Sequence, residues 1–203
     1  MRGLITQRQI KDEYQTDCDR LEKDYVVFFE ELGHEITPVS NFQNITFNAD
    51  FLVLTGGGNI YNEQPQRDKI EEKLFKEALI QNKPLIGICR GMQYINILLD
   101  GKITKNAKLN IERKNGLDHL VSINDKSYMV NNYHNDIVFE NELSSKLNIL
   151  ARDIDNNTIE AFYSNELKIL GLQWHPERKF TNAEGKEYSK KLIKDFINSG
   201  VIK

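Results

Sequence analysis

Three side chains in this sequence sit in contexts that could support acyl transfer: Cys89, His175 and Glu177. Cys89 lies in P-L-I-G-I-C-R-G-M-Q, Pro84 to Gln93, where a short apolar run meets a turn and a helix pattern. Leu85, Ile86 and Ile88 read as a buried parallel strand. Gly87 and Gly91 flank the thiol at spacing two, which relieves crowding around a side chain held in a strained elbow. The helix starting near Gly91 would aim its positive end at the sulfur and favour the thiolate. A free cysteine at the end of a buried strand is otherwise an inert small hydrophobe, so this reading requires a base.

Gly171-Leu172-Gln173-Trp174-His175-Pro176-Glu177-Arg178 supplies one. Pro176 biases His175 towards extended backbone, and residues two apart in extended chain project to the same side. Glu177 can then accept from Nδ1–H of His175, leaving Nε2 to take a thiol proton. Gly56-Gly57-Gly58 follows the apolar run Phe51 to Leu54, and its backbone N–H groups can come close to a substrate oxygen. The Arg90 N–H is the matching second donor. A glycine run alone also fits a tight turn or a phosphate cradle.

The elements needed to carry these groups alternate through the first half. Gly3 to Thr6 predicts a strand, and Leu21, Tyr25, Phe28, Phe29 and Leu32 a helix that Gly33 ends. Ile36 to Val39 and Phe51 to Leu54 predict further strands, and Ile70, Leu74 and Ala78 an amphipathic helix. After Leu99 the strand and turn signals dominate. His119 to Ile123 would pair with Tyr128 to Tyr133 around Asn124-Asp125-Lys126. Leu147 to Asp153 would pair with Thr158 to Tyr163 around Asp155-Asn156-Asn157, followed by Lys168 to Trp174. Tyr188, Leu192, Ile193, Phe196 and Ile197 mark a closing helix. The expected fold is α/β: a flavodoxin-like, doubly wound, mostly parallel sheet with helices on both faces and an additional antiparallel β region, forming a single domain over 1–203.

Composition narrows the function. A net charge of −3 argues against general binding to nucleic acid or anionic membranes. Two cysteines, Cys18 and Cys89, in unlike contexts suggest no disulfide framework. The amino terminus turns polar at Thr6-Gln7-Arg8 and resembles no export signal, and no apolar run approaches membrane-spanning length, so a cytoplasmic protein is expected. His34 and His119 show no ligand spacing and are expected to be structural; no metal or cofactor is expected.

G-I-C-R-G-M-Q, G-L-Q-W-H-P-E and the earlier L-T-G-G together resemble a class I glutamine amidotransferase domain, in the family's order and over nearly the whole chain. The resemblance implies Cys89 as nucleophile, His175 as general base and acid, Glu177 as orienting acid, and the Gly57 and Arg90 N–H groups as oxyanion hole. It implies Gly58 and Gln93 as substrate-binding residues, Gln93 helping to hold the γ-glutamyl portion. Arg90 directly after the cysteine, with Arg67-Asp68 ahead of it, is similar to the γ-glutamyl hydrolase branch, and Val130 to Asn135 to its substrate-facing loop, which brings His134 to the pocket. The chain departs from that branch in its shorter length and in Leu99-Asp100-Gly101-Lys102, which stands where Gly-Gly-Thr-Leu is usual.

Lys102, Lys105, Lys108, Arg113 and Lys114 run against a lone Glu112, and Arg8 should emerge at the carboxyl end of the first strand. Such a run is commonly a solvated face, yet with Arg8 it could meet an anionic leaving group. The reading is therefore a small-molecule γ-glutamyl substrate bearing a nucleotide. A compact γ-glutamyl hydrolase with such residues resembles the hydrolases of γ-glutamyl-CDP-amidate, and that resemblance implies cleavage to glutamate and cytidine diphosphoramidate in capsular polysaccharide modification. Alternatives are γ-glutamyl-γ-aminobutyrate or another γ-glutamyl peptide, a glutaminase subunit delivering ammonia to a synthetase, or a binding module on the same fold.

Overall fold

The apolar, β-branched runs that alternate least form the middle of one sheet. The structure is a computed structural model that describes residues 1–106, 109 and 116–203. In chain order the strands and helices are β1 (Arg2–Thr6), β2 (Arg8–Lys11), β3 (Asp17–Arg20), α1 (Lys23–Glu31), β4 (Glu35–Val39), β5 (Phe51–Leu54), α2 (Pro65–Ile80), β6 (Leu85–Ile88) and α3 (Arg90–Leu98). They continue with β7 (Asp118–Ile123), β8 (Lys126–Asn131), β9 (Asn148–Asp153), β10 (Ile159–Ser164), β11 (Ile169–Leu172) and α4 (Ala183–Ser199).

The sheet runs β4-β1-β5-β6-β11-β10-β9-β7-β8. Its first five strands are parallel, and from β11 onwards the pairing is antiparallel. The parallel strands are buried on both faces, so their residues alternate between two apolar clusters rather than between core and water. Val53 and Ile86 pack with Phe28 and Phe29 of α1 and Phe196 of α4. Leu52, Leu54 and Leu85 pack with Leu74 of α2 and with Met92 and Ile95 of α3. The glycine run, Cys89 and the His175 segment each leave the carboxyl end of a parallel strand: β5, β6 and β11, three neighbours in the sheet. The parallel sheet with its antiparallel extension is the expected architecture.

Three local differences have physical reasons. The β2–β3 hairpin was not expected, because R-Q-I-K and D-C-D-R carry charge on both faces and show no apolar alternation. Its turn is closed by Asp12, whose Oδ1 accepts from the N–H groups of Tyr14 and Thr16, each at 2.9 Å. The helix expected from Leu21 starts at Lys23. The β7–β8 hairpin turns on Asn124 and Asp125 alone, with φ of 47° and 60°, and Lys126 already pairs with Ile123. Asparagine and aspartate tolerate that left-handed pair, which gives the tighter turn.

Candidate active site

The elbow is strained as its glycine frame implies. Cys89 has φ 53° and ψ −109°, a region that costs a non-glycine residue about 1–3 kcal/mol. Two hydrogen bonds over-determine it: its N–H donates to Leu172 O at 2.7 Å, and its own carbonyl accepts from Gln93 N–H at 3.1 Å in the first turn of α3. Gly91 lets the helix start close against β5, since a Cβ there would lie 2.0 Å from the Leu54 carbonyl oxygen.

His175 stands opposite. Its Nδ1–H donates to Glu177 Oε1 at 2.6 Å, and both side chains are buried. Asn131, the last residue of β8, clamps the His175 backbone by accepting from its N–H at 2.9 Å and donating to its carbonyl at 2.8 Å. The Tyr133 ring meets the imidazole edge to face at 5.6 Å, and Arg178 lies over Tyr133 while pairing with Glu22 at 3.0 Å.

These neighbours set the charges. Burial pushes the Cys89 thiol up, but the His175 charge and hydrogen bond, the His134 charge and the Arg90 N–H together bring it down to about 7. Burial pushes His175 down, and the charges of Glu177 and Cys89 with their hydrogen bonds override it to about 9. Between those values the pair is a thiolate beside an imidazolium.

The cleft over Cys89 is about 300 Å³, and its lining includes Gly57, Gly58, Gln93, Tyr133 and His134. Gly57 and Gly58 have φ of 84° and 79°. The Gly56 N–H is spent on Tyr25 Oη at 3.0 Å, which leaves the next two amides as the free donors of the run. Gln93 donates to Asp136 O at 3.0 Å and to Gln173 Oε1 at 3.2 Å.

Arg8 follows the end of β1 and has partners within the protein. It donates to the Gly56 carbonyl at 3.2 Å and pairs with Glu22 at 3.3 Å, beside the glycine run. The absence of a side chain at Gly57 makes room for it, because a Cβ there would fall 1.9 Å from its guanidinium. Of the basic stretch, Lys108, Arg113 and Lys114, with Glu112, lie outside the described residues. Lys105 donates to the Ile60 carbonyl at 3.5 Å.

His34 packs edge-on against Phe51, 5.5 Å between ring centroids. His119 is buried beside Glu160 and Asp153, with Nε2 at 3.5 Å and 3.8 Å from their carboxylates. His119, Asp153 and Glu160 are the group among the described residues with the donor types of a metal site. Glu160 also lies 3.7 Å from His134 Nε2, so one carboxylate faces two imidazoles. Burial raises Glu160, but the His134 charge and the neighbouring His119 hold it at about 2. Burial lowers His134, and Glu160 raises it above its ordinary value.

Sequence reasoning missed the two residues that aim this machinery from other elements, Tyr25 on α1 and Asn131. Tyr25 sits in the apolar stripe of a helix, and nothing in its local sequence marks its hydroxyl as the partner of Gly56.

A doubly wound sheet bearing its cysteine and histidine at neighbouring strand ends is the fold of class I glutamine amidotransferases. A solved glutamine amidotransferase from Thermotoga maritima superposes with a TM-score of 0.61 at 19% identity, covering 96% of this chain and 84% of that one. The chain belongs to the Peptidase C26 family, whose model matches residues 36–177. It is 29% identical to the glutamine amidotransferase-like protein YvdE of Lactococcus lactis subsp. lactis (strain IL1403), over 87% of each chain. It is also 29% identical to the gamma-glutamyl-CDP-amidate hydrolase of Campylobacter jejuni subsp. jejuni serotype O:2 (strain ATCC 700819 / NCTC 11168), over 86% of this chain and 89% of that enzyme. No helix among the described residues is long and apolar enough to cross a membrane.

Proposed function

We propose that this chain is a cysteine-dependent γ-glutamyl amide hydrolase using Cys89, His175 and Glu177. The observation that carries the reading is the strained cysteine beside a histidine whose other nitrogen is bound to a buried carboxylate at 2.6 Å. The Cys89 thiolate attacks the γ-glutamyl carbonyl carbon, and the resulting oxyanion lies between the Gly57 and Arg90 N–H groups. The His175 imidazolium gives its Nε2 proton to the leaving nitrogen as the C–N bond breaks, leaving a thioester. Neutral His175 then deprotonates water as its oxygen bonds to the thioester carbon, the C–S bond breaks, glutamate departs, and the thiolate and imidazolium are restored. Gly58, Gln93 and His134 line the space for the γ-glutamyl group.

The pH dependence follows. Below about 7 the thiol holds its proton and attack slows, and above about 9 the imidazolium is lost and the leaving nitrogen goes unprotonated. kcat/KM should therefore rise through about 7 and fall through about 9, measured with a γ-glutamyl anilide in buffers of constant ionic strength. A profile flat across that interval would dissociate the pair from the chemistry.

For the leaving group we favour a nucleotide-bearing amide, γ-glutamyl-CDP-amidate, in a reducing, cytoplasmic setting that suits the free thiols of Cys18 and Cys89. Similarity along most of both chains to the Campylobacter jejuni enzyme supports this choice. The test is a side-by-side kcat/KM panel of glutamine, γ-glutamyl-γ-aminobutyrate and γ-glutamyl-CDP-amidate. The nucleotide substrate should lead by about 10-fold or more, equivalent to ~1.4 kcal/mol of differential transition-state binding. Preference for γ-glutamyl-γ-aminobutyrate would reassign the leaving group, and glutamine turnover that rises only with a synthetase would make the chain a glutaminase subunit.

A further inference from the structure

The helix α2 buries charge where its neighbours bury leucine. Arg67, with no exposed side-chain surface, donates through Nη2 to the Thr55 carbonyl at 2.5 Å and to Thr55 Oγ1 at 3.0 Å. Through Nη1 it donates to the Gly57 carbonyl at 2.8 Å and to Gln64 Oε1 at 3.0 Å, and through Nε to Glu71 Oε1 at 2.8 Å. All five N–H groups of a guanidinium have partners in this arrangement, which the three rotatable donors of a lysine cannot reproduce.

Glu71 continues the chain of contacts. Its Oε1 also accepts from Thr6 Oγ1 at 2.6 Å, and its Oε2 accepts from Arg90 Nη1 at 2.5 Å, while the other arm of Arg90 pairs with Asp68. Two arginines and two carboxylates thus form a buried quartet of zero net charge, which satisfies the condition that buried charges be paired.

The geometry of the peptide unit gives this quartet a consequence at the cleft. None of the described peptide bonds is cis. In a trans unit, C=O and the following N–H point in opposite directions. The Gly56 carbonyl is turned towards Arg8 and Arg67, at 3.2 Å and 3.4 Å, and the Gly57 carbonyl towards Arg67 and Gln64. The Gly57 and Gly58 N–H groups therefore point away from the arginines. The run itself is pressed against the nucleophile, since a Cβ at Gly56 would lie 3.3 Å from Cys89 Cβ and 2.5 Å from His175 Cε1.

We propose that Arg67, tied through Glu71 to the Arg90 side chain, is the positioning residue that fixes both backbone donors of the oxyanion hole relative to each other. The inference rests on the acyl-transfer reading for its kinetic consequence. One carboxylate, Glu71, holds the arginine that orients the glycine run and the arginine whose own N–H is the second donor. Neither side chain touches substrate in this account.

Arg67→Lys keeps the charge and loses the fork. Its kcat for a γ-glutamyl amide should fall about 100-fold, the scale of one misplaced oxyanion donor, with KM changed less than about 3-fold. Alkylation of Cys89 by iodoacetamide forms no oxyanion, so its rate should stay within about 3-fold of wild type. Gln64→Ala, which removes a weaker hold on the Gly57 carbonyl, should lose about 10-fold in kcat and serves where Arg67→Lys does not fold. The backbone order parameters of the Gly57 and Gly58 amides, read by NMR relaxation, should fall in either variant. A folded Arg67→Lys protein that retains kcat, or that loses alkylation in step with kcat, would overturn the clamp. Order parameters are read without substrate. If wild type proves inert towards γ-glutamyl amides, a lowered order parameter at Gly57 still upholds the clamp and an unchanged one still overturns it.

Discussion

Cys89→Ala is expected to lower turnover of γ-glutamyl amides by about 10⁴-fold or more while the protein stays folded. Among the described residues lining the cleft, none other than Cys89 carries a thiol and none a serine or threonine hydroxyl to take the acyl group in its place. Alanine keeps the Cβ, and losing one buried sulfur costs about 1 kcal/mol in transfer terms. For a chain of this length that is a shift of a few degrees in Tm. Circular dichroism melting beside a γ-glutamyl anilide assay checks both halves. Unchanged activity in Cys89→Ala would remove the nucleophile from the account, and loss of folding would recast Cys89 as a core residue.

Glu177→Gln is expected to cost about 10²- to 10³-fold in kcat, less than loss of the thiol. The amide oxygen of glutamine can still accept from His175 Nδ1–H, so part of the ring's orientation survives. What disappears is the negative charge that, against burial, holds His175 at about 9. The imidazole pKa then falls, the thiol loses the cation that lowers it, and its own pKa climbs. The acid limb of the kcat/KM profile should move up and the basic limb down, so the bell narrows as its maximum drops. Activity equal to that of Cys89→Ala would give the carboxylate more than an orienting role. A wild-type profile would give it none.

How much of this was legible in the sequence depends on how far each contact reaches along the chain. The strand β6, the glycines around Cys89, and the His175-Pro176-Glu177 spacing are local patterns, and their elements lie where those patterns put them. That the glycine run meets Cys89 also follows from local order, because β5 and β6 are consecutive strands joined by α2, whereas β11 returns to pair with β6 only after α3 and the strands β7 to β10. The groups that aim the site were not legible. Tyr25 to Gly56, Asn131 to His175 and Arg90 to Glu71 are 31, 44 and 19 residues apart in sequence.

Charge was the least readable signal. On α2 the stripe Ile70, Leu74 and Ala78 declares a buried face, yet Arg67 and Glu71 beside it are equally buried. A charged residue on an amphipathic helix normally marks the solvent side, and only pairing within the fold reverses that. Arg8 is partly committed elsewhere. Its side chain lies in the space left by Gly57 and pairs with Glu22, contacts that no local pattern in the sequence announces. The antiparallel half was readable in kind and blurred at its ends, since Asn124-Asp125 admits both a two-residue and a three-residue turn until the register is fixed by pairing to β9.

The most direct test of the central claim is to trap the acyl-enzyme. Wild-type protein mixed with a γ-glutamyl amide and quenched in acid within the first turnovers is digested and its Cys89 peptide weighed by mass spectrometry. The account predicts one γ-glutamyl group on Cys89, released by hydroxylamine as a thioester is and absent from Cys89→Ala. Steady turnover with an unmodified Cys89 peptide at every quench time, and persisting in Cys89→Ala, would contradict it.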